Sequence, residues 1–343
     1  MEVRKKKVTI KDIAKEAGVS QALVSFVMRN RDKGKKAYRV NEETANRILS
    51  IAKSLDYQPN MSARALKNGR THTIGVVLSD ISNPFFAEVA RDMENEAYKQ
   101  GYIVLFGSTD EDPERLEKVI KAFLDKGVDG LVIVPCQHSE NVIREVSLTG
   151  VPIVLLDRDI EGSGLPSVTL NNFKASFDMT WKLICKGYHH IEVISYNLDI
   201  SNIRERERGF IEAMEKAGLQ DYYMIHEVPH HECGPEVDEI VKTSRRNGGE
   251  AFLFVTNTLA VHGMSAIFRG GFHIPQDFGI ACFDYNSAFD IYDINLIFAK
   301  QPIAQFATQT LAKLVCLIED SKINDYPEEI VLEAEILDLN KTV

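Results

Sequence analysis

Four short apolar runs in this 343-residue chain end on side chains able to bind a small polar molecule. The first leads into Asp80 and the segment DISNPFF with Phe85 and Phe86, the second into Asp157-Arg158, the third into Asn257 and the fourth into Asp284. Arg204 stands in a further polar run, NIRERERGF. A carboxylate such as Asp157 or Asp284 accepts from two adjacent hydroxyls, and Arg158 or Arg204 donates in a fork to ring or hydroxyl oxygens. Phe85 or Phe86 offers a ring face to C–H groups. These residue types suit a polyhydroxylated ligand, a sugar or sugar derivative. Two arginines also suit a carboxylate or phosphate, which keeps a uronic acid or a sugar phosphate among the candidates. Each residue taken singly also fits a structural salt bridge or a core aromatic.

Catalytic chemistry finds little support. Neither nucleotide-binding fingerprint, Gly-x-x-x-x-Gly-Lys-Ser/Thr or Gly-x-Gly-x-x-Gly, occurs, and no catalytic residue or cofactor is expected. The run Pro229-His-His-Glu-Cys233 holds potential metal ligands, but sequence neighbours rarely converge on one ion, so an exposed loop is expected and no metal site. His189-His190 reads as structural. Five dispersed cysteines without Cys-x-x-Cys spacing point to incidental thiols rather than disulfides.

The elements that must position the polar residues alternate regularly. Strands are expected at 74–78, 103–106, 130–134, 153–156, 191–196, 222–228, 252–256 and 280–284, with helices at 85–99, 115–126, 173–185, 204–217, 235–246 and 259–268 between them. Strand-helix alternation implies parallel sheets with right-handed crossovers, and about 270 residues exceed one comfortable core, so two lobes are expected. Ligands of such sheets sit at the carboxyl ends of strands, where the polar residues fall. No apolar stretch approaches the roughly 20 residues that span a bilayer, so the expectation is a cytoplasmic protein with no membrane partner.

Charge divides the chain. The first 70 residues carry 17 Lys+Arg against 7 Asp+Glu, and the remainder 23 against 43, a basic head on an acidic body. A basic head suits a polyanion such as nucleic acid, although charge alone fits a solvated face as well. Thr9 can cap a helix bearing Ile10, Ile13, Ala14 and Ala17, and Gly18 supplies its left-handed exit. Ser20 can cap a second helix with Leu23, Val24 and Val27 on one face, giving a helix-turn-helix pattern. A third helix follows Asn41, with Ala45, Ile48, Leu49, Ala52 and Leu55 turned to the same small core.

The runs VTIKDIAKEAGVSQALVSFVMRN and RVNEETANRILSIAKSLDYQPNMSARALKNGRTHTIGVV resemble the N-terminus of bacterial transcriptional regulators of the lactose repressor/galactose repressor family, and the resemblance continues to near the C-terminus. It implies a ligand-controlled DNA-binding regulator, a repressor in the bacterial nucleoid, acting as a homodimer on double-stranded operator DNA. The all-α head would occupy 1–60, a hinge 61–72, and a two-lobed periplasmic-binding-protein-like α/β body 73–343. The N-lobe would hold about 73–170 and 302–330, the C-lobe 171–301 and 331–343, with crossovers near 170, 301 and 330. A solute-binding protein of the same body fold is the alternative, but residues 1–70 do not fit it.

By the same resemblance the second helix enters the major groove, Gln21 and Ala22 match the main base-reading positions, and Ser25 lies one turn on. Gln pairs with the N7/N6 edge of adenine, whereas Ala offers only a methyl. Phe26 departs from the family's usual Arg, which puts one guanine contact in doubt. Thr9, Ser20 and Asn60 are expected near the DNA, and the long loop 29–39 places Lys35 and Lys36 for phosphate contacts. The hinge carries Ala63 and Leu66. Its leucine matches the family's minor-groove wedge, and residues 61–67 are too few for an isolated helix. Asp157, Arg158, Arg204, Asn257, Asp284 and the Phe85-Phe86 pair match effector-cleft positions. Two departures weaken that transfer: Thr258 stands for the usual Asp, and Leu296-Ile297-Phe298 for the usual Leu-Thr-Thr. The C-terminal EAEILDLNKTV lacks a leucine heptad, which argues against a tetramer.

Overall fold

A computed structural model describes residues 8–29, 40–57, 69–291, 294–319 and 328–339. The chain divides into two compact units, 1–71 and 72–343. Lys35, Lys36, Asn60, Ala63 and Leu66 lie outside the described residues.

The head contains α1 (Ile10–Ala17), α2 (Gln21–Arg29) and α3 (Glu42–Ser54). Asp12 accepts from the backbone N–H of Thr9 at 2.8 Å and from its hydroxyl at 2.6 Å, closing the first turn of α1. Gly18 ends that helix at φ 63°, a left-handed conformation in which a Cβ is costly. Ser20 Oγ then accepts from Leu23 N–H at 3.2 Å, and Asn41 Oδ1 from Glu43 N–H at 3.0 Å, so each later helix starts on a side-chain cap. Ile13, Val24, Val27 and Ile48 are fully buried in one core, which fixes α2 against the other two helices.

The body is two copies of one plan. In the N-lobe β1 (Thr73–Leu78), β2 (Ile103–Ser108), β3 (Gly130–Ile133), β4 (Ile153–Asp157) and β5 (Ser167–Leu170) join β11 (Glu329–Leu332) in the order β11-β5-β4-β3-β1-β2. The C-lobe repeats it as β12-β10-β9-β8-β6-β7, from β6 (Ile191–Tyr196), β7 (Tyr223–Val228), β8 (Ala251–Phe254), β9 (Gly279–Phe283), β10 (Leu296–Lys300) and β12 (Glu335–Leu339). The expectation of two parallel sheets holds with one exception. The edge strand β12 pairs antiparallel with β10, because the chain ends by doubling back along the sheet's rim.

The covering helices are α4 (Pro84–Lys99), α5 (Pro113–Asp125) and α6 (Glu140–Ser147) in the first lobe, and α8 (Ser201–Lys216), α9 (Gly234–Arg246) and α10 (Asn257–Arg269) in the second. Two further helices change lobes. α7 (Asn172–Cys185) follows β5 yet packs on α8, and α11 (Ile303–Ile318) follows β10 yet packs on α4. The chain therefore passes between lobes at 171, at 301–302 and again between β11 and β12. Leu296, Ile297 and Phe298, which depart from the family pattern, are buried within β10. All five cysteines are free thiols, three of them buried.

Candidate effector cleft and DNA-reading helix

Sheet geometry sets the cleft. β4 and β9 occupy matching places in the two sheets, and each delivers a carboxylate at its carboxyl end, Asp157 and Asp284. Both residues adopt left-handed backbone, φ 65° and 63°, which turns the chain sharply off the sheet. The cleft they line encloses about 520 Å³ of empty space, part of it open to solvent.

Asp157 is 3% exposed; its Oδ2 accepts from Asn202 Nδ2 at 2.9 Å, while Oδ1 has no partner. Burial raises its pKa above the usual carboxylate range, against the pull of Arg158 and Arg206. Asp284 is partly buried and accepts from Gln301 Nε2 at 3.1 Å. Burial pushes its carboxyl up to about 7, again opposed by Arg206. Arg206 lies in the cleft wall, donating from Nε to Asn172 Oδ1 at 2.8 Å and from a terminal nitrogen to the Val255 carbonyl at 2.5 Å. Its guanidinium sits 3.8 Å from the centre of the Phe283 ring. Burial lowers its pKa, with Asp157 and Asp284 restoring part of the loss.

The placement of the sequence candidates is uneven. Phe85 and Phe86 line the cleft but are 5% and 4% exposed, held edge to face at 5.0 Å, with Phe306 behind Phe85 at 5.7 Å. Asn83 Oδ1 caps α4 on Phe85 N–H, and Asp80 is tied to Ser82, so the DISNPFF segment is a rigid turn. Arg158 lines the cleft but spends its fork on Glu111, with paired contacts of 2.7 and 2.8 Å, and on the Pro135 carbonyl at 2.8 Å. Its expected role as a free donor therefore shrinks to Nε, which has no hydrogen-bond partner and lies 3.5 Å from Asp157. Asn257 is buried at the start of α10; its Oδ1 accepts from Thr258, and its Nδ2 is unpartnered.

Arg204 requires a correction. It is exposed, pairs with Asp199, and lines the neighbouring grooves rather than the cleft. Two residues along a helix turn a side chain by about 200°, so in the same run it is Arg206 that points inward. Sequence reasoning also passed over Glu111, Tyr196, Asn202, Thr256 and Gln301, all lining the cleft, and the Pro229–Cys233 run expected to be an exposed loop instead turns His230 into the cleft wall and buries Cys233. Burial pushes the Tyr196 hydroxyl up to about 12 and lowers the pKa of His230, whose ring meets Tyr196 edge to face at 5.0 Å.

In the head, Gln21 and Ala22 are exposed at the start of α2 while Val24 and Val27 are buried, so one face packs and the other is presented to solvent. Ser25 and Phe26 are partly buried at the margin. Thr9 and Ser20 sit at the caps of α1 and α2. An exposed helix N-terminus carrying a Gln is able to meet base edges.

Residues 9–60 match the family model described as bacterial regulatory proteins, lacI family. Residues 71–242 match periplasmic binding proteins and sugar binding domain of LacI family, and 182–336 a periplasmic binding protein-like domain. The chain is 29% identical to the HTH-type transcriptional regulator RegA of Clostridium saccharobutylicum, over 98% of this chain and 99% of that protein. It is also 29% identical to the sucrose operon repressor of Klebsiella pneumoniae, over 92% and 94%. The fold superposes on the lac repressor dimer bound to operator and the anti-inducer ONPF with a TM-score of 0.82, at 20% identity over 97% and 98% of the two chains. Among the described residues no helix is long and apolar enough to cross a membrane.

Proposed function

Since the chain belongs to the lacI family of bacterial regulatory proteins, and is thus a DNA-binding transcriptional repressor with an effector-binding domain, we propose that the effector is a sugar or uncharged sugar derivative held between the lobes. One observation carries this reading. Asp157 Oδ1 and Gln301 Oε1 are buried acceptors without partners and Arg158 Nε is a buried donor without a hydrogen-bond partner, all three on cleft-lining residues; Asn257 Nδ2, a fourth such atom, follows the cleft-lining Thr256 in sequence but Asn257 does not itself line the cleft. An unsatisfied buried polar atom costs on the order of 1–3 kcal/mol. Hydroxyl groups both give and accept, so a polyol relieves acceptors and donors together.

Charge narrows the choice. Glu111, Asp157 and Asp284 face Arg158 and Arg206, and Glu111 already occupies Arg158. A uronic acid or sugar phosphate would meet more carboxylate than free guanidinium, so both rank below a neutral sugar.

The same proposal takes α2 as the major-groove helix, with Gln21 on adenine and Ala22 on a thymine methyl, and the protein as a homodimer. The outer edges of the two sheets support the dimer. Ile103 begins β2 at 67% exposed and Met224 lies on β7 at 52%, with Tyr98 and Tyr222 exposed nearby in sequence. An apolar face on the equivalent edge of both lobes suits an isologous contact. Closure of the lobes on effector then alters the spacing of the paired heads, which permits or forbids operator binding. The test is an electrophoretic shift with promoter DNA of the protein's own operon, with and without candidate sugars. A specific shift that no neutral sugar alters, but that a sugar phosphate does, refutes the effector assignment.

A further inference from the structure

We infer that the effector is a 6-deoxy sugar, its methyl group seated against an aliphatic corner of the cleft where β6 passes into α8; this rests on the reading that a neutral sugar fills the cleft.

The corner offers carbon and little else. Leu198, Ile200 and Ile203 all line the cleft within the segment 198–203, and Ile200 and Ile203 are only 6% and 3% exposed. Asn202 is the one polar side chain that this segment gives to the cleft, and both ends of its amide are engaged: Nδ2 donates to Asp157 at 2.9 Å, and Oδ1 accepts from Ile203 N–H at 2.9 Å. The carbonyls of Tyr196, Leu198 and Ile200 accept from the N–H groups of Leu198, Ile200 and Arg204, and the Tyr196 hydroxyl is hydrogen-bonded with Thr256. The unpartnered polar atoms of the cleft lie on other elements, Asp157 Oδ1 and Arg158 Nε at the end of β4 and Gln301 Oε1 just after β10. Ring hydroxyls therefore find their partners there, and the corner is left for an apolar part of the ligand.

The corner is also where the lobes touch. Besides the Asn202 bond to Asp157, Asp159 N–H donates to Ser201 Oγ at 3.3 Å, so two contacts join the start of α8 to the end of β4 beside the aliphatic side chains. A ligand group lodged there gives up bulk water. A hexose carries one exocyclic carbon, C6. As a hydroxymethyl it would bring a hydroxyl that loses water and meets aliphatic carbon, whereas as a methyl it buries apolar surface at no such cost. Removal of a ring hydroxyl instead would leave a CH₂ flush with the ring and take a hydrogen bond from the polar wall. The ligand class is therefore a 6-deoxyhexose.

The experiment is isothermal titration of the full-length protein with matched pairs that differ only at C6: L-rhamnose with L-mannose, D- and L-fucose with D- and L-galactose, and 6-deoxy-D-glucose with D-glucose. In the pair of the right stereochemistry the deoxy sugar should bind roughly tenfold more tightly, the penalty for one buried hydroxyl without a partner. Ile203→Thr, checked for native circular dichroism, places a hydroxyl at the corner and should narrow that preference to about threefold or less, while Ile203→Val should keep it. Equal affinities within every pair that binds, or tighter binding of the hydroxymethyl sugar, overturn the inference and leave the neutral-sugar reading standing. So does the absence of binding by every pair when another neutral sugar releases or recruits the operator. A preference unchanged in Ile203→Thr also overturns it. Binding of no neutral sugar overturns both readings.

Discussion

Asp284 offers a test in which binding and stability move in opposite directions. Its carboxyl has an ordinary value of 3.8 and is pushed up to about 7 in the fold. A raised carboxylate pKa means that the folded chain holds its proton more tightly than the unfolded one, so between these two values stability falls as pH rises. At about 1.4 kcal/mol per pH unit, that interval corresponds to roughly 4 kcal/mol. The side chain keeps an edge open to the cleft, which screens it, so about 2–4 kcal/mol is the fair range. Asp284→Asn retains the shape and the oxygen that accepts from Gln301 but has no charge to bury. Urea unfolding at pH 5 and pH 8 should show the variant ahead of the parent by roughly 1–2 kcal/mol at the lower pH, where the unfolded carboxyl is already ionised, and by about 2–4 kcal/mol at the higher. The same variant should bind operator and respond weakly or not at all to effector. A stability difference that does not change with pH would refute the argument, since it would mean that ionised Asp284 is not penalised in the fold.

Arg206→Ala should abolish effector binding and cost roughly 3–5 kcal/mol in stability, because it leaves Asn172 and the Val255 carbonyl without their donor and Asp284 without its cation, whereas Arg204→Ala should change cleft affinity little; calorimetry on the two separates them. Gln21→Ala should cost about 1–3 kcal/mol on the best operator and flatten preference at one base pair per half-site, while Lys35→Ala with Lys36→Ala should weaken all sequences alike and reduce the salt slope by up to about one per lost phosphate contact; competition gel shifts over a salt series distinguish reading from positioning. Leu66→Ser should weaken operator binding and reduce DNA bending without touching effector affinity, read by bend-sensitive gel mobility.

The strands that carry the cleft were legible because parallel strands buried on both faces read as continuous apolar runs. Ile191–Tyr196 fell where it was expected, and β1, β4 and β9 shifted by a residue or so. Elements without that signature escaped. β5 is four residues, Ser167–Leu170, two of them polar, and α11 buries the polar Thr310 and Lys313 along with its apolar face, so its helical period is blurred. In the site, residue types at strand ends were readable but their partners were not. Glu111 reaches Arg158 across 47 positions and Gln301 reaches Asp284 across 17, and no local pattern announces either pairing. NIRERERGF presents several charges on one helix, and which of them turns inward is decided by how α8 packs against α7, a long-range fact. Thr9, Gly18 and Ser20, by contrast, act within three residues of themselves, and their capping roles appear in the structure as the sequence suggests.

The exchange of α7 and α11 between lobes bears on how the protein is made. Emerging from the ribosome in order, the N-lobe strands β1 to β5 are complete by residue 170, but the helix that covers them and the edge strand that finishes their sheet lie at 303–318 and 329–332. Leu314 and Ile318 sit directly over Gly130 of β3, with no room there for a Cβ. Until those residues arrive, α4 covers only part of that face, and the part over β3, β4 and β5 is bare to solvent and to chaperones. The C-lobe, whose covering helix α7 precedes its strands, waits only for its own edge strand β12 at 335–339. Synthesis therefore inverts the order of the lobes, the second maturing while the first is still open, and a chain interrupted after residue 300 would leave an almost finished C-lobe beside an N-lobe that cannot close its core.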